Sequence, residues 1–385
     1  MVNILVIGSG AREHAIVRSF SKSKKKKKIY CLASNNNPGI SSICNELKID
    51  NIDDPKTVQE YAKKHKIDFA IIGPENPLAS GIADSLWEIN VGVVGPKKDL
   101  AQIETSKSFT RNLLVEYKIP GCPKFKTFES MSGVKEFLIL LGEEFSLMSF
   151  CDGENLSHMP AVQDHKRAYE GDIGPNTGGM GTYSDSDHKL PFLEDSHIKL
   201  AQKINEQTAK ALKQKFGEGY KGILYGGFIA TNSGVQLIEY NARFGDPEAM
   251  NVLSILETDF IEVCKSIISG ELNDLDIIFK NLATVCKYAV PDGYPDKPVK
   301  GNQIDVSNVK DKDILYHASV ELESEKLIQM GSRAVAIVGH GESIWEAEQI
   351  AEENISKVQG PLFHRKDIGT TELIQKKINH MISIK

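Results

Sequence analysis

The first hundred residues alternate short apolar runs with helical patterns, and that alternation leaves few folds open. Residues 3–7, 29–33, 69–72 and 91–94 read as strands, while the stretch after Gly10 to about Phe20 and residues 77–88 read as helices. Strands separated by helices pair in parallel, with helices covering the sheet, so this part forms a parallel α/β domain of about 100 residues. Its first strand runs into Gly8-Ser9-Gly10-Ala11-Arg12-Glu13-His14. A glycine turn opening a helix aims backbone N–H groups at an anion. A dinucleotide is a poor fit. Glu13 stands at the sixth fingerprint position, and Ser34-Asn35-Asn36-Asn37 follows the second strand where an acidic ribose partner belongs. A monophosphate with Arg12 nearby suits the loop better; a tight turn without a ligand is the plain alternative. Gly73-Pro74-Glu75-Asn76-Pro77, Gly95-Pro96 and Asn37-Pro38-Gly39 end or follow other strands and would line the same crevice.

A second constraint lies at residues 222–248, GILYGGFIATNSGVQLIEYNARFGDPE. Two β-rich runs flank Thr231-Asn232-Ser233-Gly234, the pattern of an antiparallel hairpin. Strict alternation puts Val235, Leu237, Glu239, Asn241 and Arg243 on one face. A carboxylate beside an amide oxygen suits Mg²⁺, and an arginine fork suits phosphate or carboxylate. A strand end turning polar at the surface would read the same way.

Residues 160–183 set Asp164, His165, Lys166, Arg167 and Asp172 beside five glycines, including Gly178 and Gly179. Glycines let a backbone approach a ligand closely, although a surface loop could also carry them. Helices are expected at 97–117, 200–216 and 249–270, with Ser106-Lys107 on the first. Short strands at 283–290, 313–322 and 333–339 and a helix at 342–358 make a small C-terminal α/β module.

The totals exclude several function classes. A net charge of −6 argues against broad nucleic-acid or membrane-surface binding, and the run Lys24–28 reads as a solvated connection. Six scattered cysteines without a C-x-x-C pair indicate neither a disulfide framework nor a zinc site, which suits a cytoplasmic enzyme. No apolar run approaches membrane-spanning length, and the chain starts directly on a strand with no signal sequence. At 385 residues, two to four domains are expected.

Taken together, GSGAREHA, GPENPLASGIAD, GPKKDLAQIETSKSF, PAVQDHKRAYEGDIGPNTGGMGTYS, LIEYNARFGDPE and RKDIG resemble the phosphoribosylamine–glycine ligases of the ATP-grasp superfamily. The motifs fall in the family's order along nearly the whole chain. The resemblance implies an N-terminal parallel α/β domain at 1–100, a linker and start of the ATP-grasp domain at 101–138, an ATP-grasp α+β core at 139–280 and a C-terminal α/β module at 281–385. It implies ATP-driven joining of glycine to 5-phosphoribosylamine, with ATP and Mg²⁺ or Mn²⁺, no nucleic-acid or membrane partner, and a monomer slightly favoured. By the same resemblance Glu239 and Asn241 hold the metal, Lys107, Glu143 and Glu144 meet ATP, and Arg243 and Asp246 serve catalysis. Gly8, Gly10, Arg12, Glu13, Pro38, Gly39, Pro74, Glu75, Asp164, Lys166, Asn176, Thr177, Gly178, Gly179 and Met180 surround the other substrates.

One departure stands out. The family carries a lid subdomain with a lysine- and glycine-rich signature before the equivalent of Gly142-Glu143-Glu144; here residues 137–141 run straight into Gly142. A stretch of about 50–70 residues, the size of a subdomain, is absent. Two readings compete: the lid belongs to the protein but drops out of this numbering, which is preferred, or the chain lacks it and loses phosphate lysines and water exclusion. Rival functions are another ATP-grasp ligase or purine-pathway carboxylase, and a lidless, non-catalytic binding protein.

Overall fold

The computed structural model describes residues 1–123 and 142–384. Five strands, β1 (Val2–Ile7), β2 (Lys27–Ala33), β3 (Glu46–Ile49), β4 (Phe69–Ile72) and β5 (Gly92–Val94), form a parallel sheet in the order β3-β2-β1-β4-β5. Ile4 to Ile7 are fully buried, as a strand covered on both faces requires. The edge strand β3 escapes the sequence pattern because its four residues are only partly buried or exposed. Helix α1 (Ala11–Ser21) starts directly after the glycine turn. The single helix expected at 77–88 is two, Glu75–Ala79 and Ile82–Glu88, because Gly81 takes a left-handed φ of +83° between them. The helix expected at 97–117 also divides, into Lys98–Thr105 and Lys107–Glu116. Ser106 is extended and accepts a hydrogen bond from the Phe109 N–H at 3.2 Å, capping the second helix.

The central region is an antiparallel sheet whose strands run in the order Gly234–Asn241, Lys221–Thr231, Glu143–Asp152, Leu156–His158. The first two are the expected hairpin, closed by Asn232-Ser233. The helix Asp195–Phe216 packs behind it, where Tyr240 Oη donates to Thr208 Oγ1 at 2.9 Å. Residues 124–141, where the family's lid would join, lie outside the described residues.

Three short C-terminal strands, Gln303–Ile304, Lys326–Gln329 and Val320–Glu323, form a sheet of their own, but the longer ones do not. Ala283–Pro291 pairs on one side with Val335–Gly341 and on the other with Gly181–Ser184, which in turn pairs with Gln163–Asp164. The C-terminal module therefore shares a sheet with the loop region 160–184. A strand expected at 313–322 is broken into Leu315–His317 and Val320–Glu323. Helices Ile344–Ile355 and Thr371–Ser383 complete this end, the second not foreseen in the sequence.

Candidate active site

The hairpin departs from strict alternation at one residue. Phe228 pairs with Leu237 and Gly227 with Glu239, so Ile238 is extra, a β-bulge. Directly paired residues share a face and neighbours along a strand do not, so Leu237 and Glu239 face opposite ways. The expectation that Val235, Leu237, Glu239, Asn241 and Arg243 share a face is corrected here. Val235, Leu237 and Tyr240 are buried, while Glu239 and Asn241, both beyond the bulge, lie together on the other, partly exposed face. Arg111 pins the bulge by donating to Leu237 O at 2.7 Å and Ile238 O at 2.6 Å. The strand ends at Asn241, so Arg243 belongs to the following turn. There Arg243 Nη2 pairs with Glu104 at 3.0 Å and Nε approaches Glu75 at 3.6 Å. Burial raises the Glu104 pKa despite that arginine; for Glu75 burial is again the largest single effect, but Arg243, a backbone hydrogen bond and Arg12 together outweigh it and the pKa falls.

Glu239 stands between two cavities. One, of about 550 Å³, is lined by Glu143, Glu144, Asp164, Lys166, Asn176, Glu239 and others, and the second, of about 70 Å³, by Glu104, Lys107, Arg111, Glu239 and Asn241 among others. Lys107 Nζ lies 3.6 Å and Lys166 Nζ 3.9 Å from the Glu239 carboxylate. Lys166 also reaches Glu144 at 4.0 Å. Asp164 is half-buried, with Oδ1 shut from solvent and lacking a partner; desolvation and then repulsion from Glu248 push its pKa well above the carboxylate range. Glu248 accepts from Tyr225 Oη at 2.5 Å and Ser146 Oγ at 3.0 Å. Among the described residues no group of three or more His, Cys, Asp or Glu side chains could cage a metal. A cation at Glu239 and Asn241 would take two oxygens from protein and the rest from phosphate and water. That is how Mg²⁺ binds, so the pair fits it.

A third cavity, of about 390 Å³, opens at the carboxyl ends of the parallel strands, where Gly8, Gly10, Arg12, Glu13, Pro74 and Asp246 meet Asn51 and Asp53. The glycine turn differs from a free anion cradle. Glu13 itself takes the Gly10 N–H, at 2.5 Å, and pairs with Arg12 Nε at 2.7 Å. A Cβ on Gly8 would stand 2.8 Å from Glu13 Cγ, so the carboxylate fills space a dinucleotide pyrophosphate would need. Arg12 is buried and donates to Phe244 O at 3.2 Å, tying this loop to the turn that carries Arg243. Pro38 and Gly39 are not among the residues lining this crevice; they open the helix Pro38–Ser41, and Gly39 packs on His14.

The glycine-rich stretch folds back on itself. Thr177 N and Oγ1 both donate to Lys166 O, at 2.7 and 2.9 Å. Met180 is fully buried with its N–H and C=O engaged by His165 and Tyr288, so it anchors the loop from the core side. Arg333 holds these parts together. Its Nη1 donates to Gly178 O at 2.6 Å and Asp246 O at 2.9 Å, and its Nη2 pairs with Asp246 at 3.2 Å. Asp246 also accepts from Tyr288 Oη at 2.6 Å. Arg333 was missed in the sequence, where only its turn setting, Gly331-Ser332-Arg333, marked it.

Three segments match phosphoribosylglycinamide synthetase domains: residues 2–104 the N domain, 138–249 the ATP-grasp (A) domain and 284–371 the C domain. The chain belongs to the phosphoribosylglycinamide synthetase family. Among its relatives, the phosphoribosylamine–glycine ligase of Methanosarcina barkeri is 43% identical over 429 aligned positions, covering 99% of each chain. That of Methanocaldococcus jannaschii is 45% identical over 441, again covering 99% of each. A crystal structure of phosphoribosylamine–glycine ligase from Thermotoga maritima shares the fold, with a TM-score of 0.77 at 24% identity, covering 95% of this chain and 100% of that one. Phosphoribosylglycinamide synthetase from Anaerococcus prevotii does so at 0.64 and 14%, covering 94% and 99%. The 429 aligned positions exceed the 385 residues of this synthetase-family chain, so at least 44 have no residue in it. The full sequence is continuous through Gly142, which overturns the preferred reading of a lid dropped from the numbering. Among the described residues no helix is long and apolar enough to cross a membrane.

Proposed function

We propose that this chain joins glycine to 5-phosphoribosylamine at the expense of ATP, giving glycinamide ribonucleotide, ADP and phosphate through glycyl phosphate. The observation that carries the reading is the Glu239–Asn241 pair beyond the bulge, with Lys107 from the smaller cavity and Lys166 from the larger one each within 4 Å of the Glu239 carboxylate. Glycine's carboxylate has no leaving group; transfer of the γ-phosphoryl creates one, and the ribosylamine nitrogen then displaces phosphate. A magnesium ion held by Glu239 and Asn241 would supply neutralisation of the phosphate charge. Lys107 and Lys166 orient the nucleotide's phosphates from either side of Glu239, with Glu143 and Glu144 beside Lys166 at the larger cavity's wall. The crevice of Gly8, Gly10, Arg12, Glu13, Pro74 and Asp246 takes the phosphoribosylamine and aims its amine toward Asp164 and the 178–179 loop. Arg243, with Glu75 and Glu104, keeps the two substrate regions in register. Positioning carries most of the catalysis in such a site, and no side chain serves as the nucleophile. In this reading residues 1–100 hold the amine substrate, 101–280 the nucleotide, and 281–385 buttress both, in a cytoplasmic monomer.

The missing positions favour one alternative, a binding protein that keeps the pockets but turns over poorly. Both readings meet in one assay: ADP release by the purified chain with Mg²⁺-ATP, glycine and 5-phosphoribosylamine. The ligase reading expects release that needs both glycine and the amine. Release supported by bicarbonate or formate but not glycine would replace it with another ATP-grasp reaction, and binding without release would leave the binding protein.

A further inference from the structure

The helix Thr371–Ser383 lies almost wholly beyond the residues matched to the family's C domain, yet it reaches the wall of the large cavity. Lys377 Nζ sits 3.0 Å from Glu143 Oε2 and 2.9 Å from Asp172 Oδ2. His380 Nδ1, one turn on, lies 2.6 Å from Glu143 Oε1. Asp172 is held from its other side by Arg365, a fully buried arginine whose Nη1 donates to Asp172 Oδ1 at 2.8 Å and to Arg167 O at 3.1 Å. Arg365 also grips Asp367 at 2.7 Å, and Asp367 accepts the Gly171 N–H at 2.8 Å. Apart from the Arg365–Asp367 pair, these contacts run from the end of the chain to the two segments that frame the cavity, the start of the Glu143–Asp152 strand and the loop at 165–180.

Among these chain-end residues Lys377 lines the cavity, with Glu143, Glu144, Lys166, Asp172 and Glu239. Burial acts against its charge, but Glu143 and then Asp172 outweigh it and its pKa stands above the ordinary lysine value. Two carboxylates from different segments meet at one ammonium. Without that cation they repel each other in a poorly hydrated place, and the segments carrying them separate.

We propose that Lys377 is a positioning residue for the nucleotide cavity, holding Glu143 and Asp172 together so that Glu144, Lys166 and Glu239 face a common ligand. This rests on the reading that the cavity takes a nucleotide. The test is binding of Mg²⁺-ADP to the full chain by titration calorimetry, with thermal melting beside it. Lys377→Met is expected to weaken binding about tenfold. Adding Asp172→Asn removes one of the clashing charges while Arg365 keeps its pair with Asp367, and is expected to bring affinity back to within about threefold of the unaltered chain. Lys377→Gln, gentler on folding, is expected to lose about threefold and carries the test if Lys377→Met does not fold. A lower melting temperature with unchanged affinity in the folded variants would make Lys377 merely structural and overturn the proposal. No Mg²⁺-ADP binding by the unaltered chain would remove the nucleotide reading of the cavity, and the proposal with it.

Discussion

Glu239 is the residue on which the chemistry turns, because it is the carboxylate that two lysines approach and the one the bulge presents to the cavity. It is partly exposed, so its neutral isostere leaves no buried charge stranded. Glu239→Gln is expected to raise the KM for Mg²⁺-ATP about tenfold, roughly 1.4 kcal/mol, with the melting temperature nearly unchanged. Steady-state kinetics at varied ATP, with a melting curve on the same sample, checks this. A collapse in stability with intact ATP use would mean the carboxylate serves the fold. Lys287 shows the opposite balance. Its side chain is fully buried, with Nζ 2.6 Å from Glu348, 2.7 Å from Glu352 and 2.8 Å from Lys366 O. Lys287→Met strands a buried carboxylate and is expected to cost about 3–5 kcal/mol of stability, read by denaturant unfolding, although Lys287 lines none of the cavities described above.

At the scale of elements, the hairpin decides how much could be read from sequence alone. Its two strands and turn follow from β-rich runs around Asn232-Ser233, and Glu239 and Asn241 stand out as oxygen donors two apart. The face they occupy does not follow, because alternation carries no mark of an extra residue at Ile238. The evidence for the bulge lies in a partner over a hundred residues away, Arg111, whose two hydrogen bonds satisfy the carbonyls of Leu237 and Ile238. Similar long-range partners hid the role of Arg333 and the sharing of one sheet by residues 163–164 and 181–184 with the strands Ala283–Pro291 and Val335–Gly341, since antiparallel pairing across a hundred residues leaves no local pattern. By contrast, the parallel strands at 69–72 and near the N-terminus were legible because burial on both faces forces continuous apolar runs. Arg111→Met tests the bulge. Losing two charge-assisted hydrogen bonds to partly buried carbonyls is expected to cost about 1.5–3 kcal/mol, and to weaken nucleotide binding because Glu239 loses its fixed direction. Melting and Mg²⁺-ADP titration read the two effects separately. A stability loss with native affinity would show that the strand keeps its bulge without Arg111.

At the scale of the whole molecule, the two ends of the chain meet at neutral imidazoles, of which His14 is buried and His317 half-buried. His14, in the glycine-turn helix, accepts the His317 N–H on Nδ1 at 3.0 Å, and its ring lies 5.5 Å from that of Tyr316. Burial, then the charge of Arg18, lowers the His14 pKa well below the ordinary 6.5, and the same two causes in the same order bring His317 to about 4. His340, on the neighbouring strand, is likewise lowered to about 4 by burial and then by Lys22. In the unfolded chain these rings bind a proton near pH 6.5, whereas in the folded chain they resist it until about pH 4. Between those values the unfolded state therefore holds more protons, and stability must fall as the pH falls. The contribution is complete above about pH 6.5 and is lost progressively toward pH 4. Melting temperature is accordingly expected to be level from pH 8 to 7 and to drop steeply between pH 6 and 4.5. Replacing His317 with Gln, which takes no proton in this range, should flatten part of that drop while leaving the neutral-pH value nearly unchanged. A profile for the Gln variant that parallels the unaltered chain throughout would show that the acid sensitivity arises elsewhere than in this junction between the first helix and the C-terminal strands.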